Sequence, residues 1–167
     1  LVRPDDRTRD YLALQGELAI REGRLATCIL NGGMATRFGG GAKGIVPVVL
    51  DHPEASFLAV KLAEARKRAI STKGSIPMVI LNSFATVDAS LEHLTKIDWA
   101  RTPEADRIQL VQSIMPRVLP DGSPLQTEAG ADTLADTQIY AAPGHGDVLR
   151  RLQDGGVVET LRARGVE

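Results

Sequence analysis

A glycine-rich stretch held between two aliphatic runs constrains this chain more than any other feature. Leu25-Ala26-Thr27-Cys28-Ile29-Leu30 leads into Asn31-Gly32-Gly33-Met34-Ala35-Thr36-Arg37-Phe38-Gly39-Gly40-Gly41-Ala42-Lys43-Gly44, and Ile45-Val46-Pro47-Val48-Val49-Leu50 leads out. A buried strand therefore empties into a loop with little side-chain bulk. Glycine lets a backbone approach a ligand closely. Successive backbone N–H groups in such a loop form a concave anion site. Arg37 and Lys43 add fixed positive charge. The stretch reads as a loop that wraps polyphosphate.

Composition narrows what surrounds that loop. With 167 residues, 43% hydrophobic and 25% charged, the chain holds one α/β domain with a real core. A net charge of −1 leaves no broad electrostatic footprint for nucleic acid or an anionic membrane. The one cysteine, Cys28, excludes a disulfide framework and a zinc pattern. It reads as a small buried hydrophobe within the first strand. No basic-then-apolar leader opens the chain and no run is long enough to cross a bilayer, so the expectation is a cytoplasmic protein. Oligomeric state is not legible.

Hydrophobic periodicity gives the order of elements. A helix is expected over 7–22, with Tyr11, Leu14 and Leu18 on one face and Gly23 as its stop. It precedes the first strand, so residues 1–24 read as an extension and 25–167 as the main unit. After the strand at 25–30 and the glycine loop, 45–50 reads as extended. Asp51 with Glu54 resembles a helix start, and Leu58, Leu62, Ala65 and Ala69 share the inner face of the helix over 54–71. Pro77–Asn82 is a second buried strand. Residues 86–95 form a helix with Leu91 and Leu94 inward, and Arg107–Gln112 is a third strand. Residues 116–138, rich in Pro, Gly, Asp and Thr, run as an extended loop or hairpin. A helix with Val148, Leu149 and Leu152 follows the second glycine loop, Pro143-Gly144-His145-Gly146-Asp147. Gly155-Gly156 breaks it, and 157–164 is the last helix. Alternating strands and helices imply a parallel sheet with right-handed crossovers. Ligands then sit beyond the carboxyl ends of the strands, where the loops after 30, 82 and 112 gather.

Individual motifs are weaker than their sum. Gly39 to Gly44 satisfies G-x-G-x-x-G, but it lies well past the strand and opens no helix, so it is not a dinucleotide fingerprint. His52 and His93 read as structural residues without partners. His145, between two glycines, is placed to reach a ligand. Asp147 reads as a helix N-cap. Gln112 closes its strand, and its amide, both donor and acceptor, could read the edge of a base.

Four segments together resemble the UDP-glucose pyrophosphorylase (UTP–glucose-1-phosphate uridylyltransferase) family. Leu30-Asn31-Gly32-Gly33 with Thr36 and Lys43 resembles that family's L-N-G-G-L-G-T…K signature. Val79-Ile80-Leu81-Asn82-Ser83-Phe84-Ala85-Thr86 resembles its L-M-N-S-F-N-T turn, and Gln112 to Arg117 its Q-x-x-x-P-R segment. Pro143-Gly144-His145-Gly146-Asp147 resembles its P-P-G-H-G-D loop. The resemblance covers about residues 25 to 165 in the family's order.

The resemblance implies a Rossmann-like, GT-A-like nucleotidyltransferase domain and a Mg²⁺-dependent transfer between UTP and a sugar 1-phosphate, glucose 1-phosphate first. It implies that the backbone of Leu30, Asn31, Gly32 and Gly33 holds the nucleotide, and that Lys43, with Arg37, meets the phosphates. Gln112 and Gly144 would read uracil. His145, with Gly32 and Gly33, would face the sugar phosphate. The metal-binding Asp of the family belongs to a downstream N-x-D-N-L-type segment, so none of the metal ligands is expected within this chain. The chain then corresponds to the N-terminal part of a catalytic domain, inactive alone. Ala35 stands where the family has a second loop glycine, and Ala141-Ala142 where an aromatic and a proline precede the second loop. A broad-specificity UDP-sugar pyrophosphorylase and a non-catalytic UTP-binding remnant are the alternatives.

Overall fold

A computed structural model describes residues 5–34, 41–126 and 137–167. Arg37, Thr36 and Ala35 lie outside the described residues. Three strands, β1 (Thr27–Leu30), β2 (Met78–Asn82) and β3 (Arg107–Val111), form one parallel sheet in the order β1-β2-β3. The register pairs Leu30 with Leu81 and Leu81 with Leu110. All three strands therefore end at one level, and their loops open on the same side.

The central strand is buried on both faces, as its unbroken run Met78-Val79-Ile80-Leu81 dictates. One face packs against α2 (Phe57–Thr72) and α3 (Val87–Lys96). There Met78, Ile80, Leu58, Leu62, Ala65, Leu94 and Trp99 form the core, with Ile29 and Ala69 against its edge. Each large aliphatic side chain buried here contributes about 1.5–3 kcal/mol. The other face is covered by α4 (Val148–Asp154) and α5 (Val157–Ala163), whose linking Gly155 lies against Leu110. A short antiparallel pair, β4 (Met115–Pro116) with β5 (Tyr140–Ala141), lies beyond the end of β3.

Several expectations are corrected. The helix α1 (Asp6–Arg21) forms, capped by Asp5, but only Ile20 is buried and Tyr11 and Leu14 face solvent. The helix touches the rest through its last turn, where the carbonyl of Ile20 leaves no room for a side chain at Gly74. Residues 45–50 are not a strand. A 3-10 turn over 43–45 is followed by a bend, and Pro47 makes a single bridge back to Ser56. Proline has no N–H to offer a ladder, and the chain reverses at Asp51, whose φ is +66°. The start of α2 is accordingly Ser56, whose hydroxyl accepts from the Ala59 N–H at 3.1 Å, and not Asp51. Leu91 and Leu149 are exposed. Cys28 is exposed too, on the edge strand β1, whereas the α4–α5 link packs against Leu110 of β3. What burial it has pushes the Cys28 thiol above its ordinary value.

Candidate functional site

The loops at the carboxyl ends of the strands enclose a cavity of about 290 Å³. Its walls include Gly32 and Gly33 after β1, Ser83 to Ala85 after β2, Gln112 after β3, and Gly144 and His145 beside β5. Five of the nine residues singled out from the sequence thus meet on one cavity. Lys43, Leu30 and Asn31 are not among its lining, and Arg37 is outside the described residues. A larger groove, about 760 Å³, runs along α2 beside the end of α3 and includes none of the loop residues.

The glycine loop is closed at its base. The Lys43 N–H donates to the Gly33 carbonyl at 3.1 Å, and Met34 bridges to Ala42. Ala42 is buried and plugs the base, whereas the Lys43 side chain is exposed with no partner among the described residues. Lys43 therefore stands one hydrogen bond from Gly33, with its ammonium free to meet an anion.

A buried polar network holds the floor. Asn31 Nδ2 donates to Asn82 Oδ1 at 2.7 Å and to Ser90 Oγ at 2.8 Å. Ser90 Oγ donates to the Thr86 carbonyl at 2.6 Å, and Thr86 Oγ1 to the Asn31 carbonyl at 3.2 Å. Asn31, Asn82, Thr86 and Ser90 are each no more than 3% exposed. The Asn31 side chain is consequently a pin between β1, β2 and α3. Its backbone is engaged as well, the N–H donating to the Leu81 carbonyl at 2.8 Å and the carbonyl accepting from Thr86, so the expectation that the Asn31 backbone holds a nucleotide is not met by a free group. The Asn31 Oδ1 fills the space beside Gly44, where a Cβ would come within 1.9 Å of it.

Gln112 differs. It is 4% exposed, and its Nε2 donates to the Gly144 carbonyl at 2.9 Å. Its Oε1 is buried without a partner and lies where a Cβ on Gly32 would stand, 2.3 Å from it. Turning the amide over would set Oε1 against the Gly144 carbonyl, two acceptors facing one another. The amide oxygen is therefore an unpartnered acceptor packed beside Gly32, itself a residue of the cavity wall. Gly144 has φ +92°, a conformation that L side chains rarely adopt, and this lets its carbonyl turn toward Gln112.

Asp147 does not cap its own helix. Its Oδ2 accepts from the Ser113 N–H at 2.6 Å and its Oδ1 from the Ser113 hydroxyl at 3.2 Å, tying the second glycine loop to the end of β3. His145 is exposed at the rim. The other histidines have partners after all: His52 Nδ1 lies 3.2 Å from Glu54, and His93 Nε2 2.8 Å from the Ser56 hydroxyl. Sequence reasoning passed over Arg117 and Tyr140, which line the cavity. Their signal was the Q-x-x-x-P-R segment and its pairing with β5. Among the described residues no group of three or more His, Cys, Asp or Glu gathers to hold a metal ion. The described residues alone therefore do not form a site for a resident metal.

Comparison with known proteins gives the geometry a context. A sequence model of UTP–glucose-1-phosphate uridylyltransferase matches residues 3–167. The Saccharomyces cerevisiae UTP–glucose-1-phosphate uridylyltransferase is 31% identical over 170 residues, covering 98% of this chain and 32% of its own length. The Solanum tuberosum enzyme of the same name is 31% identical over 146 residues, covering 86% of this chain and 28% of its own. The chain thus spans less than a third of the length of these curated relatives. Among solved structures, Leishmania major UDP-glucose pyrophosphorylase in complex with UDP-glucose matches 89% of this chain and 30% of its own at 23% identity and TM-score 0.67. Trypanosoma brucei uridine diphosphate N-acetylglucosamine pyrophosphorylase matches 99% of this chain and 36% of its own at 16% identity and TM-score 0.73. These structural likenesses establish a shared nucleotidyltransferase fold.

Proposed function

The chain belongs to the UTP–glucose-1-phosphate uridylyltransferase family, and from that premise we propose that its cavity binds the uridine of UTP within a protein that makes UDP-glucose and pyrophosphate. One observation carries the proposal: the buried, unpartnered Oε1 of Gln112 in the cavity wall. A buried acceptor without a donor costs about 1–3 kcal/mol. Uracil repays that cost with its N3–H. Cytosine offers an unprotonated N3 there and leaves two acceptors in opposition. Adenine is larger and carries a different edge.

The chemistry that follows is phosphoryl transfer by positioning. An oxygen of the sugar 1-phosphate attacks the α-phosphorus of UTP. A new P–O bond forms as the bond to the β-phosphate oxygen breaks, and pyrophosphate leaves with that electron pair. No covalent nucleophile takes part. Donors aimed at the developing charge supply the rate. In this reading the backbone at Gly32 and Gly33 holds the nucleotide, Lys43 neutralises its phosphates, and His145 at the rim meets the sugar phosphate. Arg37 is a further cation in the same glycine-rich stretch of the sequence. In this reading Mg²⁺ accompanies the nucleotide and helps neutralise its phosphates.

Calorimetric titration of this chain with UTP, CTP and ATP tests the reading. UTP is expected to bind at least tenfold more tightly than CTP, the worth of one buried hydrogen bond (about 1.4 kcal/mol). Gln112→Leu is expected to level the two. Equal affinity for the three nucleotides in the parent chain would sink the proposal.

A further inference from the structure

The amide of Gln112 can select a base only if something fixes which of its poles faces the cavity. The Gly144 carbonyl does so directly, accepting from Nε2 at 2.9 Å. That carbonyl is itself held, because it also accepts from the Asp147 N–H at 3.2 Å. The Asp147 carboxylate in turn grips Ser113, the residue after Gln112, through the backbone N–H at 2.6 Å and the hydroxyl at 3.2 Å. The contacts close a ring: Gln112, Ser113, Asp147, Gly144, and back to Gln112. Two bonds to one carboxylate hold the strand end and the second glycine loop at a set separation, and the Gln112 amide spans the gap.

We infer that Asp147 is a specificity-determining positioning residue, which acts through Ser113 and Gly144 to keep the Gln112 oxygen beside Gly32 on the cavity wall and so to favour uracil over cytosine. This rests on the reading of the cavity as the uridine site. Asp147 touches no ligand in this scheme. Its carboxylate is the only element of the ring supplied by a side chain other than Gln112 and the Ser113 hydroxyl, so it is the point at which the ring can be cut. Once cut, Gly144 is free to move and the amide can rotate. Its NH₂ then faces the cavity and donates to the N3 of cytosine. Loss of Asp147 should therefore change the preference between bases more than overall nucleotide affinity.

The test is calorimetry of this chain and its variants with UTP and CTP. Asp147→Ala is expected to cut the UTP-over-CTP preference about tenfold, one buried hydrogen bond's worth, chiefly by improving CTP. Asp147→Asn keeps an acceptor for the Ser113 N–H and a donor for its hydroxyl, so it should retain the preference. Ser113→Pro deletes the same backbone bond from the other side and should behave as Asp147→Ala does, which covers the case that Asp147→Ala fails to fold. Far-UV circular dichroism establishes which variants are folded. A parent chain that prefers UTP, with a folded Asp147→Ala or Ser113→Pro variant that keeps that preference, overturns this inference and leaves the site reading standing. The same holds if Asp147→Asn loses the preference as fully as Asp147→Ala. A parent chain with no preference for UTP overturns the site reading, and this inference with it.

Discussion

Asn31 and Gln112 are two amides in nearly the same situation. Each follows a strand, β1 or β3, at the ligand-facing end of the sheet. Each is almost fully buried, at 3% and 4% exposure. Each presses its oxygen on a glycine, Gly44 for one and Gly32 for the other. They differ in what their amide hydrogens meet. Both Asn31 amide hydrogens go to buried protein acceptors, Asn82 and Ser90. Gln112 makes one bond to Gly144 and leaves its oxygen without a donor. A buried amide whose donors are engaged on the core holds the fold together, and one with an unpartnered oxygen beside a cavity is the candidate to meet a ligand. Burial alone does not separate the two roles; the state of each polar atom does.

That contrast is open to direct attack. Asn31→Ala would strand Asn82 Oδ1 and Ser90 Oγ in the core and should cost about 2–3 kcal/mol in urea unfolding. If it cost no more than Gln112→Ala, the distinction would fail. Gly44→Ala sets a methyl into the Asn31 oxygen and should cost about 1–3 kcal/mol by overpacking, with the Asn31→Ala background relieving part of it. Gln112→Ala should unfold within about 1 kcal/mol of the parent while losing base preference, because its removal orphans only a carbonyl that Asp147 still serves. Lys43→Ala should leave stability unchanged within about 0.5 kcal/mol and weaken UTP binding about tenfold or more, since its exposed ammonium has no protein partner among the described residues.

The smallest effect concerns His93, whose Nε2 lies 2.8 Å from the hydroxyl that caps α2. Burial first, and then the Lys96 charge, hold its imidazole below the ordinary 6.5. The unfolded chain therefore takes up this proton before the folded one does. The associated stability is complete above about pH 6.5 and drains as pH falls from there toward the depressed value. Urea midpoints measured downward from neutral pH should show a shallow loss that His93→Gln flattens. An unchanged slope in that variant would remove His93 from the account.

Much of this was legible in the sequence, for reasons that differ by element. β2 and its place in the centre follow from an uninterrupted aliphatic run, which only a strand covered on both faces can use. The meeting of Gly32, Gln112 and His145 followed from the parallel arrangement, which sends successive loops to one end. The run from Ile45 to Leu50 misled because its hydrophobicity suits a strand while Pro47 and the reversal at Asp51 prevent one. Cys28 misled because β1 is an edge strand of the sheet, a tertiary fact with no local trace. Asp147 sits where a helix cap belongs, and only the fold reveals that Ser113, more than thirty residues earlier, takes its carboxylate instead. Both amides were visible in the sequence, where only the side chain of Gln112 was read as one for a base, and the pinning role of the Asn31 side chain needed the fold.

The uneven cover over the sheet gives the molecule a sidedness. At β3 the Val111 carbonyl is engaged by Arg151 of α4 at 2.8 Å, and the adjoining loop is stapled by Asp147. At β1 the described residues supply no neighbour beyond β2, and Cys28 and Leu30 face outward. Parallel strands ordinarily lie with both faces buried, and an uncovered strand edge is a template for further pairing. Both β1 and β3 are edges of the sheet among the described residues, but the end of β3 is tied down by side chains of the following loop and helix while β1 keeps two exposed side chains, so the two edges offer unequal footholds to a further strand.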